Sequence, residues 1–238
     1  MAPATPSLAL EHSLLAHHPL VAGMDEVGRG ALAGPVTVGV VVITGATGDP
    51  PPGVADSKAL TPAEREALVE PIEAWCAGYA VGHAGAAEID RHGIVAALRL
   101  AGRRALAALP AQPGAIVLDG RHNWLAAPPS DLFDQPEPDP WAIQMQVKAD
   151  ASCTTVAAAS VLAKVTRDAL MVRLHRDHPA YGWDHNKGYG AADHLAALRR
   201  LGPTPLHRRT WRLPEPAQPG GEVAAVPRAD DPGQARVA

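Results

Sequence analysis

The chain has 238 residues, 47% of them hydrophobic, and a net charge of -4, which is enough apolar material for one large domain with a proper core. That balance argues against a protein that holds nucleic acid by overall basicity, and two cysteines, Cys76 and Cys153, exclude a disulfide framework or a thiolate zinc site. No run approaches the ~20 apolar residues of a membrane span and no basic-then-apolar leader opens the chain, so a soluble, cytoplasmic protein is expected.

In chain order, residues 1–19 read as an irregular lead-in. Strands are expected near 20–25, 36–43, 79–83, 115–119 and 142–148, where short β-rich runs end in Gly, Asp or Pro. Thr61, Pro62 and Glu64 form a helix start that carries toward Trp75, with Pro71 as a possible break. Apolar residues at helical spacing predict further helices over 94–109 and 154–174. Residues 128–140 carry five prolines and four acids, the composition of a solvated loop. Five arginines fall between 199 and 212 with no acid among them, whereas residues from 214 onward carry four acids and two arginines and read as a disordered tail. The expected organisation is a folded region over 20–213, an α/β or α+β domain around one mixed sheet.

The chemistry concentrates at strand ends. Asp25 and Glu26 stand between an apolar run and the turn Gly28-Arg29-Gly30, a place where charge is costly without a cation or hydrogen bonds to compensate it. Asp119 follows Ile116-Val117-Leu118, and Asp150 follows the 142–148 run. Strand ends on one edge of a sheet converge, so these four carboxylates can line one site. Four acids together repel unless divalent cations neutralise them, and oxygen-only ligation favours Mg²⁺ or Mn²⁺. Such a site suits hydrolysis of a phosphodiester, with two metals about 3.5–4 Å apart. Adjacent strand residues point to opposite faces, so Asp25 and Glu26 can reach one metal only if the strand ends or bulges there, and such an end or bulge is expected. The glycines allow close backbone approach to an anion such as phosphate.

These residues, together with Gly34-Pro35, Asp56-Ser57-Lys58, Leu118-Asp119-Gly120, Lys148-Ala149-Asp150, the run Ala157 to Asp168, Lys187-Gly188-Tyr189-Gly190 and His207-Arg208-Arg209, occur in one order. In that order the chain closely resembles bacterial ribonuclease HII over about residues 20–212. The resemblance implies a ribonuclease H-like fold, a central mixed β-sheet flanked by helices with a C-terminal helical region. It also implies an endonuclease that hydrolyses the RNA strand of RNA-DNA hybrids and cuts 5′ of ribonucleotides embedded in duplex DNA, leaving 3′-hydroxyl and 5′-phosphate ends. Asp25, Glu26, Asp119 and Asp150 then hold Mg²⁺ or Mn²⁺. Gly28, Arg29 and Gly30 read the ribose 2′-hydroxyl, and Tyr189 packs on the following deoxyribose. Lys58 and the arginines near 208 are candidate phosphate contacts. Asp168, four residues after Lys164, is assigned to a helical ion pair. Ala31 departs from the family's frequent proline, and His185-Asn186-Lys187 is slightly altered. The tail has no aromatic pair of the kind that docks on a sliding clamp; no protein partner is expected, and a monomer is expected.

Two readings of another class compete. A nucleotide-binding enzyme using Gly28 to Gly34 is disfavoured, because the spacing is G-x-G-x-x-x-G, Pro35 follows, and the next segment is strand-like. A non-catalytic hybrid-binding module is disfavoured by the four acids, which repel phosphate without metal. His17, His18, His175, His178 and His185 lack the cysteine partners or helical spacing of a zinc site and are expected at the surface.

Overall fold

The structure, a computed structural model, describes residues 5–126 and 139–216. Apart from residues 139–140 and 214–216, the proline-rich loop and the tail lie outside them. The elements in order are α1 (Ala9–Leu15), β1 (Leu20–Val27), β2 (Val36–Thr44), α2 (Pro62–Trp75), β3 (Gly78–Ala84), α3 (Ala86–His92), α4 (Ile94–Ala107), β4 (Ala115–Asp119), β5 (Ala142–Gln146), α5 (Ala149–Ser152), α6 (Thr154–Asp177), α7 (Trp183–Asn186) and α8 (Ala192–Leu201).

Five strands form one sheet in the order β3-β2-β1-β4-β5. The first three are antiparallel neighbours, and β1, β4 and β5 run parallel, so the sheet is mixed. β2 is rich in valine and buried along nearly its whole length, as a central strand covered on both faces must be. On one face Ala22 and Met24 of β1 pack with Leu98, Ala101 and Ala105 of α4. On the other, α6 lies close to the backbone. A Cβ at Gly39 would stand 2.4 Å from the Ala159 carbonyl oxygen, so only glycine admits the helix there. α2 packs outside α6 through Leu68 and Ile72. Its first turn is fixed by a capping box, Thr61 Oγ1 accepting from the Glu64 amide and Glu64 Oε2 from the Thr61 amide. Pro71 lies inside this helix without ending it.

The lead-in contains a helix the sequence did not signal. α1 packs Leu10 and Leu14 against Val117, Cys153 and Val156, and its buried Glu11 accepts hydrogen bonds from the Thr155 amide and hydroxyl at 2.9 Å. The carboxylate thereby serves donors at the start of α6, an end that has no side-chain cap of its own. At the other end of the chain, Tyr181, Trp183 and Leu198 pack with Met171 and Ala33. Backbone bonds from Leu32 to Gly188, from Gly34 to Leu206 and from Arg208 to Leu32 lace this C-terminal region to the loop after β1. Among the described residues no helix is long and apolar enough to cross a membrane.

Candidate active site

Because β1, β4 and β5 are parallel, their C-terminal ends share one edge of the sheet. Asp25 and Glu26 lie just before the end of β1 at Val27, Asp119 closes β4, and Asp150 lies four residues past β5, within α5. The expected strand end or bulge at Asp25 is absent. β1 stays in register with β2 through Val27, with Asp25 opposite Gly39 and Glu26 opposite Val38. Pairing with β4, however, stops at Met24. By alternation Asp25 follows Gly23 onto the α6 face and Glu26 follows Met24 onto the α4 face. Beyond the last parallel pair both side chains reach the mouth at the sheet's end, and one open pocket is lined by Asp25, Glu26, Asp119, Gly28, Arg29, Gly30, Lys58 and Tyr189, with Lys164 and Ser57 beside them.

Asp25 is 5% exposed. Burial, then the repulsion of Glu26 and Asp150, holds its carboxyl well above the usual carboxylate range, with Lys58 opposing. Burial also raises Glu26, against the pull of Arg29 at 3.4 Å, and raises Asp119, against the Ala149 amide that donates to Asp119 Oδ1 at 2.7 Å. Asp150, also buried, accepts from Lys58 Nζ at 2.7 Å. Burial works against the Lys58 charge, but the bond and attraction of Asp150, with Asp56 and Asp25 behind it, outweigh that and hold the ammonium above the ordinary lysine value. Lys148, immediately before the Ala149-Asp150 turn, adopts a left-handed backbone at φ 57, and Lys187, just before Gly188-Tyr189, does so at φ 51. Non-glycine residues held there mark backbone constrained by its surroundings.

Among the described residues no three His, Cys, Asp or Glu side chains are drawn together as a closed metal cage. Asp25, Glu26 and Asp119 are instead spread round the mouth, and Asp150, outside that lining, joins them through Lys58. Their chemistry nevertheless fits a hard divalent cation: the donors are all oxygen, three are held above their ordinary range by burial first and by neighbouring acids second, and an ammonium rests against the fourth.

Of the arginines near 208, Arg209 and Arg212 are exposed, but Arg208 is not at the surface as expected of a phosphate contact. Arg208 is fully buried and donates to the carbonyls of Gly28, Arg29 and Gly34, while Arg209 lies by Asp90, Arg91 and Pro205, away from this pocket. Asp168 pairs with Lys164 at 2.8 Å, as its helical spacing predicts. Sequence reasoning passed over Lys164 as a pocket residue, and also His194 and His207. Those two are buried, and His194 Nδ1 lies 2.8 Å from the Tyr189 carbonyl. The available signal was Lys164's place in the run Ala157 to Asp168 and His207's in the motif His207-Arg208-Arg209; His194 had none.

The family model for ribonuclease HII matches residues 22–213. The chain is 48% identical over 192 residues to a ribonuclease HII of Streptomyces avermitilis, covering 81% of this chain and 76% of that protein. It is 46% identical over 195 residues to a ribonuclease HII of Thermus thermophilus, covering 81% and 86%. Among solved structures, ribonuclease H2 from Pyrococcus horikoshii superposes with a TM-score of 0.61 at 28% identity, covering 81% of this chain and 94% of that one. The mixed sheet with flanking helices is therefore the ribonuclease H2 fold, and the chain belongs to the ribonuclease HII family.

Proposed function

We propose that the protein is a divalent-cation-dependent endoribonuclease that hydrolyses the RNA strand of RNA-DNA hybrids and incises 5′ of ribonucleotides embedded in duplex DNA, leaving 3′-hydroxyl and 5′-phosphate ends. The observation that carries this reading is the meeting, in one pocket, of strand-end carboxylates with a bare glycine turn and an aromatic ring. Asp25, Glu26, Asp119 and Asp150 are the residues that would hold Mg²⁺ or Mn²⁺, which when bound supplies water activation and charge neutralisation at the leaving oxygen.

The chain's own groups do the rest. Gly30 has neither a positive φ nor a neighbour within 4 Å of a Cβ placed there, so nothing inside the protein requires glycine. Its bareness leaves room for a ligand to approach the backbone, and a hydrogen bond from backbone to the 2′-hydroxyl is what separates RNA from DNA. Tyr189, half-buried, offers a ring face at the same mouth for a neighbouring sugar. Arg29, Lys58 and Lys164 supply positive charge for the phosphates on either side. A dinucleotide site has no support, since the glycine turn leads into strand β2 rather than a helix.

The test is an end-labelled RNA strand annealed to DNA and incubated with Mg²⁺, with Mn²⁺, or with EDTA. Internal fragments are expected with either cation and none with EDTA. Intact RNA under all three conditions would sink the reading.

A further inference from the structure

Arg167 and Arg208 are both fully buried, and among the described residues neither has a carboxylate partner within ion-pair distance. Two like charges in the interior are an expensive arrangement unless something specific compensates them. Here it is backbone. Arg208 donates through Nη2 to Gly28 O at 2.5 Å and through Nη1 to Arg29 O at 2.8 Å, and reaches Gly34 O from Nε and Nη2. Arg167 donates to Ala33 O, Pro35 O and Lys187 O at 2.9 to 3.2 Å. Every acceptor lies in the loop from Gly28 to Pro35 or in the residue two before Tyr189. Arg167 also sits under the Tyr189 ring, with Cζ 5.4 Å from its centroid.

Gly28 to Ala31 form a turn closed by the Ala31 amide on Gly28 O, and every peptide bond in the described chain is trans. In a trans peptide the C=O and the following N-H point in opposite directions. Arg208 draws the carbonyls of Gly28 and Arg29 inward, so the amides of Arg29 and Gly30 face outward, at the pocket. Among the described residues neither amide has an acceptor. The glycine at 28 has a matching cause: its φ is 81, and a Cβ would stand 2.1 Å from Arg167 Nε. The fork of guanidinium donors is also specific to arginine, since a lysine ammonium cannot span three carbonyls in fixed directions.

We propose that Arg208 and Arg167 are positioning residues that set the direction of the Arg29 and Gly30 amides, and so set how well the enzyme separates a ribonucleotide from a deoxyribonucleotide. This rests on the reading of Gly28-Arg29-Gly30 as the 2′-hydroxyl sensor. Two measurements on the full chain separate the claims. The first is binding of a duplex with one ribonucleotide against the matched all-DNA duplex, with Ca²⁺ in place of Mg²⁺ and recovery of intact strand as the check. R208K is expected to reduce the preference by about tenfold, the worth of one good hydrogen bond, with affinity for all-DNA unchanged. A merely structural role would lower thermal stability and leave the preference alone. A folded R208K protein with the parent's preference overturns the proposal, whereas a parent with no preference overturns the sensor reading beneath it. The second measurement covers an R208K variant that does not fold. In the unaltered protein the Arg29 and Gly30 amides are expected to exchange freely and to be slowed by the ribonucleotide duplex but not by all-DNA. Exchange already slow in the free protein would contradict outward-facing amides and overturn the proposal.

Discussion

At the residue scale, the four carboxylates differ in how the fold holds them. Asp25 is the most buried and is raised by desolvation first and by its acidic neighbours second, so without metal its charged form opposes folding. D25N is therefore expected to raise the melting temperature of the metal-free protein by a few degrees while abolishing cutting and the stabilisation that added Mn²⁺ gives the parent. Thermal melts with and without Mn²⁺ check this, and a variant that cuts like the parent would remove Asp25 from the site. Tyr189 belongs to the same scale. If the ring face and not the hydroxyl makes the proposed contact, Y189A loses preference for the RNA-DNA junction within a mixed strand and Y189F keeps it; cut-site mapping on a mixed strand decides between them. Asp25, Glu26, Asp119 and Asp150 were legible because carboxylates at the ends of apolar strands are conspicuous in sequence. Arg167 and Arg208 were not. A buried arginine satisfied by carbonyls looks in sequence like any surface arginine, since its partners are backbone and carry no residue signature.

At the scale of elements, the strands were legible from their β-branched runs and α2 from Thr61, Pro62 and Glu64. α1 was not, because a seven-residue helix has little stability of its own and is held by Leu10, Leu14 and Glu11 docking onto α6 and β4. β5 ends at Gln146, two residues earlier than the sequence suggests, because the chain turns through the left-handed Lys148 into α5. The contact of α6 with the sheet gives a stability prediction. G39A should destabilise by about 1–3 kcal/mol through overpacking against Ala159, measured by urea unfolding; an unchanged midpoint would mean that α6 does not sit this close. The C-terminal elements carry an acid-sensitive joint. His194 Nδ1 donates to the Tyr189 carbonyl, which leaves its Nε2 to accept from Trp183 and from His207 Nε2. His207 Nδ1 then accepts from the Thr204 amide. Burial, then the neighbouring His194, with Arg209 and His178 further off, pushes His207 down to about 4, so the fold favours neutral imidazole. Its contribution is full above the unfolded value near 6.5 and is lost as pH falls from there toward 4. Urea unfolding followed by tryptophan fluorescence should show this loss in the parent and a flatter profile in H207Q. Equal slopes would refute the assignment.

At the scale of the molecule, the mixed sheet explains why the site exists at all. Three parallel strands bring Asp25, Glu26, Asp119 and the Asp150 turn to one edge, while the C-terminal region folds back to place Tyr189 and the buried arginines against the loop after β1. The order of motifs along the chain carried the fold class, but the wrapping of residues 187–212 over residues 28–35 is a long-range arrangement that no local pattern encodes. Whether this edge cuts beside a ribonucleotide is read from product mapping on a duplex with one ribonucleotide in an otherwise DNA strand. With Mg²⁺ or Mn²⁺ a single incision immediately 5′ of that residue is expected, and none with EDTA or with D119N. An intact strand in both cations, or a cut elsewhere in the DNA, would contradict the account.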